Sequence, residues 1–281
     1  MNMQNADTKT VAGFGAEWAR FDQRALTEAQ LREQFDRYFG IFPWDALPDA
    51  AVGFDMGCGS GRWAKLAARK VRHLYCIDAS EAALEVARNN LEARSNCTVL
   101  HASFDSIPLD DGSMDFGYSL GVLHHIPDAL SGMEACTRKL KAGAPFLVYI
   151  DYAFDNRPAW FQMLWKGSDV GRRLIARLPF RARYWVSQTI AASVYYPLAR
   201  SALLLGKFGI NTESLPLSAY KTLPFYSMRT DALDRFGTAL EKRFTKVEIQ
   251  KMMEQAGLES ITFSDSVPYW CAVGYKKATT F

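Results

Sequence analysis

The 281-residue chain lacks several features that would indicate a membrane, a metal or an extracellular location. No run of about 18 apolar residues occurs, so we expect no transmembrane helix and no stable membrane insertion. The first ten residues, MNMQNADTKT, lack the apolar segment of a secretory signal peptide. The five cysteines are scattered and form no CxxC pair, which predicts neither a zinc site nor a disulfide framework. A reduced, cytoplasmic protein is expected.

An excess of charge is also missing, because the formal net charge is only +3. A balance this small does not by itself indicate a nucleic-acid partner, and we expect none. The hydrophobic content of 49% and charged content of 22% are typical of a globular protein. The length fits one large domain, or one core domain with an insertion.

Hydrophobic patterning divides the chain into three parts. Residues 50–153 alternate five strand patterns with helix patterns, and residues 244–281 add one helix and two strands, which favours a doubly wound, mostly parallel α/β sheet of seven strands. We interpret residues 1–49 as an N-terminal helical cap. Residues 154–243 interrupt the alternation between strands 5 and 6, and we interpret them as a helical, substrate-binding insertion or lid.

The segment AVGFDMGCGSGRWA, residues 51–64, carries the clearest ligand signal. Its glycines follow a strand and open a helix, where open α/β sheets bind ligands. The G-x-G-x-G spacing is not that of a dinucleotide loop, and no lysine follows it as in a P-loop. Asp55 would oppose a pyrophosphate but would suit a ligand with an ammonium group. An ordinary tight strand–helix turn is the structural alternative.

Asp78 ends the next strand pattern, 23 residues after Asp55. A carboxylate at this position can accept hydrogen bonds from both hydroxyls of a ribose. The alternative is a carboxylate that interacts only with the dipole of the following helix.

Several segments together resemble the successive motifs of class I S-adenosylmethionine-dependent methyltransferases. The resemblance covers about residues 50–152 and resumes near residue 244, and it implies a Rossmann-like core that binds S-adenosylmethionine and releases S-adenosylhomocysteine. The opening FGAEWARF is similar to a bacterial small-molecule subgroup, type 11-like. The core motifs are VGFDMGCGSGRWA, CIDAS, SIPLDDGSMDFGYSLGVLHHIPD and RKLKAGAPFLVYI.

The resemblance assigns cofactor contacts to eleven residues. Asp55 would lie near the ammonium, Asp78 would hold the ribose, and the others would line the methionine, adenine and sulfonium regions. Phe104 has the alternative of a core aromatic, and Trp18 that of filling a gap in the core. The eleven residues are Trp18, Asp55, Gly57, Cys58, Gly59, Asp78, Ala79, Ser103, Phe104, Ser119 and Leu120.

Candidate catalytic residues follow the fourth and fifth strands. His124 and His125 are suited to general-base work near neutral pH, although a histidine that orders the loop is the alternative. Adjacent residues do not point the same way, so at most one is expected to reach the acceptor. Asp151 and Tyr152 follow the fifth strand at the same edge of the sheet, and Tyr152 would line the acceptor pocket. No metal is expected, because His124, His125 and Asp128 lack a visible fourth ligand.

The first part of the insertion, residues 154–210, contains seven Arg, two Lys and two Asp together with ten aromatic residues. A helical cap with a solvated basic face is one interpretation. The other is a surface for an anionic acceptor or an anionic lipid headgroup, with peripheral membrane contact through residues 154–210.

The sequence therefore predicts methyl transfer from S-adenosylmethionine to a small or medium-sized acceptor, which an anionic group would suit. A hydroxyl is the first choice, because a histidine is available as the base. An amine acceptor is the alternative within the same class. A non-catalytic protein that binds S-adenosylmethionine or S-adenosylhomocysteine, as a regulator or partner, is the alternative of another class.

Overall fold

One seven-stranded sheet organises the described residues, 5–212 and 215–278, of the computed structural model. Its order is β3-β2-β1-β4-β5-β7-β6, in which β1 to β5 are parallel, while β7 pairs antiparallel with both β5 and β6. The prediction of a doubly wound, mostly parallel sheet is confirmed. The strands are β1 Val52–Met56, β2 His73–Asp78, β3 Cys97–His101, β4 Phe116–Leu120, β5 Pro145–Tyr149, β6 Leu258–Phe263 and β7 Cys271–Lys276.

Ten α-helices accompany the sheet within the described residues, and none of them is long and apolar enough to cross a membrane. They are α1 Thr8–Arg20, α2 Glu28–Phe39, α3 Ala64–Ala67, α4 Glu81–Leu91, α5 Ala129–Lys139, α6 Ala159–Ile175, α7 Phe180–Ile190, α8 Tyr196–Lys207, α9 Phe225–Gly237 and α10 Lys246–Gln255. A π-helical segment, Ala191–Tyr195, joins α7 to α8.

The sheet is buried on both faces. Successive side chains of a strand point to opposite faces, so Phe146 and Val148 of β5 enter one hydrophobic cluster and Leu147 enters another. A strand that is covered on both faces has a nearly continuous apolar sequence, as PFLVY of β5 does.

The order of the strands reverses between β1 and β4, which lie side by side at the centre. The connections from β1 and β4 therefore leave towards opposite sides and open a crevice at the carboxyl ends of these strands. The glycine loop follows β1, and the loop with His124 and His125 follows β4.

The chain divides into two compact units. The core unit comprises the described parts of residues 1–23, 31–153 and 240–281, and the insertion unit comprises residues 24–30 and 154–239. Residues 240–243, which the sequence pattern placed in the insertion, belong to the core unit, because Arg243 forms an ion pair with Asp151 at 2.9 Å. The insertion unit has its own small core around Tyr195, Met228 and Phe236.

Candidate functional site

Two positions of the loop after β1 require glycine, because the backbone there has positive φ and neighbouring side chains leave no room for a Cβ atom. Gly57 and Gly59 have φ values of +82° and +52°, in the left-handed region that other residues rarely adopt. A Cβ atom on Gly57 would lie 2.3 Å from Val122, and one on Gly59 would lie 2.8 Å from the indole nitrogen of Trp18. The loop is therefore held closely between the loop after β4 and helix α1.

The Asp78 carboxylate anchors this loop at the end of β2. Its Oδ2 accepts a hydrogen bond from the Gly59 N–H at 2.9 Å, and its Oδ1 accepts one from the Ser80 N–H at 2.8 Å. Burial raises the pKa of Asp78, and the two backbone bonds partly oppose that rise. Each carboxylate oxygen can accept a further hydrogen bond, so the group keeps capacity for the two hydroxyls of a ribose.

The Asp55 carboxylate is buried at the end of β1, and its Oδ2 accepts no hydrogen bond from any described residue. Burial raises the pKa of Asp55 well above its ordinary value; the nearby Tyr118 hydroxyl opposes this rise, and the Asp78 carboxylate adds to it. A buried acceptor without a donor is costly, and a cationic group would relieve that cost. The residues at this edge therefore fit a ligand that carries both an ammonium and a ribose.

The remaining predicted cofactor residues occupy four places. Cys58 donates its N–H to the Ile77 carbonyl, and the Ala79 carbonyl contacts Nε2 of His101 at 2.9 Å. At the end of β4, Leu120 is buried and the Ser119 hydroxyl donates to the Met56 carbonyl at 2.9 Å. Ser103 is buried beside Phe104, which belongs to the main hydrophobic cluster. Contacts of all these residues with a cofactor remain predictions.

Helix α1 lies against three loops at this edge of the sheet. The Phe14 ring meets the His125 ring edge-on with the centroids 4.8 Å apart. Gly15 lies against Ser80, because a Cβ built there would be 2.6 Å from the Ser80 hydroxyl. Trp18 covers Gly59, so the residues at 14, 15 and 18 form one helix face directed at the crevice. The resemblance of FGAEWARF identified Trp18 as a candidate cofactor contact, but it assigned no contacts to Phe14 or Gly15.

The two histidines after β4 are both buried, but their nitrogens have different partners. Nδ1 of His125 lies 2.8 Å from the Leu240 carbonyl, which can only accept, so Nδ1 carries the proton and the neutral ring has its lone pair on Nε2. Nδ1 of His124 instead accepts the Asp151 N–H at 3.3 Å, so its proton is on Nε2, 3.7 Å from Oδ1 of Asp151. The two rings therefore have opposite tautomers.

A buried group of charges supports this pair. Tyr149 donates its hydroxyl hydrogen to Asp151 at 3.0 Å, and Arg243 contacts Asp151 at 2.9 Å and Glu241 at 2.5 Å. Burial alone would raise the pKa of Asp151, but the Arg243 guanidinium, together with the hydrogen bond from Tyr149, holds it below its usual range. Burial, followed by the neighbouring His125, lowers the pKa of His124 well below 6.5, so His124 stays neutral.

The sequence had placed Asp151 at the correct edge of the sheet, but it did not identify Arg243 or Glu241 as its partners. They lie about 90 residues further along the chain, beyond the insertion, and no local pattern connects them. Tyr152 has a different environment, because its ring packs against Tyr269 and Trp270, with centroid distances of 5.7 and 6.2 Å. The proposed place of Tyr152 in an acceptor pocket remains a prediction.

Two groups of basic residues in the insertion unit differ in their exposure. Five arginines are buried or half-buried and bond to partners inside the unit: for example, Arg172 bonds to Asp169 and to the Thr238 carbonyl, and Arg183 bonds to the Gly237 carbonyl. The five are Arg172, Arg183, Arg200, Arg229 and Arg235. The second group is exposed and consists of Lys166, Arg173, Arg177, Arg181 and Lys207. Much of the basic charge is thus structural. Within the described residues, no group of three His, Cys, Asp or Glu side chains could hold a metal ion.

Comparison with known proteins agrees with this geometry. A methyltransferase-domain family model matches residues 54–148. The ubiquinone biosynthesis O-methyltransferase of Thiobacillus denitrificans is 30% identical over 171 residues, which cover 60% of this chain and 68% of the relative. The matches to two further relatives with the same name cover 42% and 53% of their lengths.

Solved structures show the same fold. A protein proposed to be a methyltransferase from Bacillus halodurans has a TM-score of 0.51 and 16% identity, over 83% of this chain and 72% of that one. A S-adenosylmethionine-dependent methyltransferase of Thermotoga maritima has a TM-score of 0.51 and 14% identity, over 94% of this chain and 100% of that one.

The sheet order, the glycine loop and the two aspartates define a class I methyltransferase core. The chain belongs to the family of S-adenosylmethionine-dependent methyltransferases, which are enzymes.

Proposed function

We propose that the protein methylates a hydroxyl group of a small or medium-sized acceptor, with Nε2 of His125 as the proton acceptor. The observation that carries the proposal is the bond from Nδ1 of His125 to the Leu240 carbonyl at 2.8 Å. This bond selects the tautomer whose other nitrogen can take a proton. An alcohol must lose its proton as it attacks a methyl group, so a positioned base accelerates that reaction.

His124 has a different proposed role. Both of its nitrogens face Asp151, and its lowered pKa keeps it neutral. We assign it as a positioning residue that holds the loop after β4 and thereby orients its neighbour. Asp151 is in turn held by Arg243 and Tyr149.

S-adenosylmethionine, when bound, supplies a methyl group on a positively charged sulfur. We propose that Asp55 binds its ammonium, that Asp78 binds its ribose hydroxyls and that Trp18 covers it at the glycine loop. Proximity and alignment are the main contribution of the chain, because the reactivity belongs to the cofactor.

The names of the curated relatives support oxygen as the receiving atom. An amine acceptor is the rival within the same class, and it needs no base when the amine is neutral. A protein that binds the cofactor without turnover is the rival of another class. The effect of His125 on turnover separates all three.

The test begins with S-adenosylmethionine, S-adenosylhomocysteine and NAD, each titrated against the melting temperature. Stabilisation by the two adenosyl ligands is expected, and a response to NAD alone would contradict the cofactor. A bacterial metabolite extract is then incubated with S-adenosylmethionine labelled on its methyl group. A labelled ether or ester product supports the proposal, a labelled amine supports the rival, and no labelled product supports the non-catalytic protein.

The role of His125 is tested with three variants. His125→Gln should lower kcat by about 10²-fold or more, with little change in affinity for S-adenosylhomocysteine. His124→Gln should have a smaller effect, and His73→Gln, at the start of β2, the end opposite the glycine loop, serves as the matched control. Equal kcat values for all three variants would remove the base from the mechanism and leave proximity alone.

A further inference from the structure

Helix α6 has an outward face that is apolar rather than polar. Its opposite face packs within the insertion unit, where Trp165 lies under Arg235, Ser168 bonds to Arg235 and Arg172 bonds to the Thr238 carbonyl. A helix on the surface of a globular protein usually turns charged residues to water on the side opposite its packed face. Here that side carries aliphatic and aromatic side chains.

The apolar residues recur at spacings of three and four, so they form one continuous stripe along α6. The large side chains of the stripe are between 50% and 73% exposed. Gly167 and Gly171 lie in its middle, and a Cβ atom built on either would meet no atom within 4 Å. The stripe, called here the α6 stripe, consists of Trp160, Met163, Leu164, Gly167, Val170, Gly171 and Leu174.

Exposed cations border the α6 stripe. Lys166 and Arg173 are seven residues apart, two helical turns, and lie along the same edge of it, while Arg177 follows the end of the helix. The Arg173 side chain remains 70% exposed although it pairs with Asp169. Residues 154–210 together carry a net charge of +7.

We infer that the α6 stripe docks on an anionic lipid surface, with the helix lying in the plane of the interface. Apolar residues on one face and Lys and Arg at its border are the pattern of helices that bind membranes without crossing them. The border charges are complementary to anionic headgroups, which attract Lys and Arg near the membrane surface.

A second copy of this chain is the rival occupant, and the charges disfavour it. In a two-fold symmetric contact the same patch faces itself, so Lys166 and Arg173 of one copy would border the same cations of the other. These like charges would repel one another and weaken such a contact, whereas an anionic lipid surface would attract them. The inference does not depend on the proposed acceptor.

The test is flotation of the full chain with vesicles of phosphatidylcholine alone, or with one quarter phosphatidylglycerol. Wild type should bind the phosphatidylglycerol vesicles, and Leu164→Glu combined with Leu174→Glu should weaken that binding at least about tenfold. Lys166→Gln and Arg173→Gln should each weaken it about fivefold. Val247→Glu, at an exposed apolar position on α10, is the matched control and should bind as wild type does.

Affinity for S-adenosylhomocysteine and circular dichroism show that each variant is folded, so a failure of the proposed function is distinguished from a failure of docking. Absence of wild-type binding, equal binding to both vesicles, or unchanged binding of the double leucine variant would each overturn the inference. Sedimentation without lipid tests the rival: a stable dimer that the leucine substitutions dissociate, with no vesicle binding, would assign the α6 stripe to a second copy.

Discussion

The core unit and the insertion unit place their apolar and charged residues in opposite ways. In the core unit, large apolar side chains such as Leu84 are buried, and a charged group as deep as Asp151 has several partners. In the insertion unit, arginines turn inward onto backbone carbonyls, while Met163, Trp185 and Phe208 are 73%, 68% and 76% exposed. The core unit thus buries its apolar side chains and pairs the charge of Asp151, whereas the insertion unit leaves large apolar side chains on its surface.

The largest expected difference is in the free energy of unfolding when a leucine of each unit is shortened to alanine. Leu84→Ala, in the buried face of α4, should lower the free energy of unfolding by about 2–5 kcal/mol, because it removes packed atoms and leaves a cavity. Leu174→Ala, in the α6 stripe, should change it by less than about 0.5 kcal/mol. Urea unfolding followed by circular dichroism measures both. Equal losses would mean that Leu174 is covered in solution.

A matched pair of arginines sharpens the contrast. Arg243→Met leaves the buried Asp151 without its main partner and should cost about 3 kcal/mol of unfolding free energy. Arg173→Met removes an exposed pair with Asp169 and should cost less than about 1 kcal/mol. The same urea titration applies. A stable Arg243→Met variant would show that Asp151 finds another partner or takes up a proton.

Removing a carboxylate should weaken cofactor binding in the core unit but not in the insertion unit. Asp78→Ala should weaken binding of S-adenosylhomocysteine by about 1–3 kcal/mol, because ribose hydroxyls and the Gly59 N–H lose their acceptor. Asp155→Ala, an exposed carboxylate of the insertion unit, is the control and should bind as wild type does. Isothermal calorimetry measures the difference. Unchanged affinity for Asp78→Ala would refute the ribose assignment.

The smallest expected effect is a dependence of stability on pH that resides in the core unit. The pKa of His124 is lowered in the folded state, so the unfolded chain binds the additional proton below about 6.5. Stability from this group is complete above that pH and should fall by about 1 kcal/mol between pH 7 and 5.5. Melting temperatures should show a flatter profile for His124→Gln than for wild type or for His101→Gln. Parallel profiles would place the titration elsewhere.

Local patterns in the sequence were sufficient for the sheet and for the glycine loop. Alternating apolar strands and helices predicted the fold, since each side-chain face must find a covering layer. Asp55 and Asp78 were identified from their positions at strand ends, which parallel strands bring to one edge. The capping box at Thr245 and Glu248 and the helix after it are equally local features.

Features that depend on distant residues could not be read in this way. The tautomers of His124 and His125 are set by Asp151 and by the Leu240 carbonyl, the latter 115 positions away from His125. The basic residues of the insertion looked alike in the sequence, although several of them bond to carbonyls and side chains of their own unit. The outward direction of the α6 stripe was equally invisible, because periodicity shows that a helix has an apolar face but not which face is covered.

The sequence by itself thus determined the class of fold and the loop expected to hold the cofactor, since both follow from periodicity and from short spacings along the chain. Only the tertiary structure decided which ring nitrogen of each histidine carries the proton, which arginines remain exposed and which apolar face is left uncovered. Each of these depends on contacts between residues far apart in the chain, and folding alone brings them together.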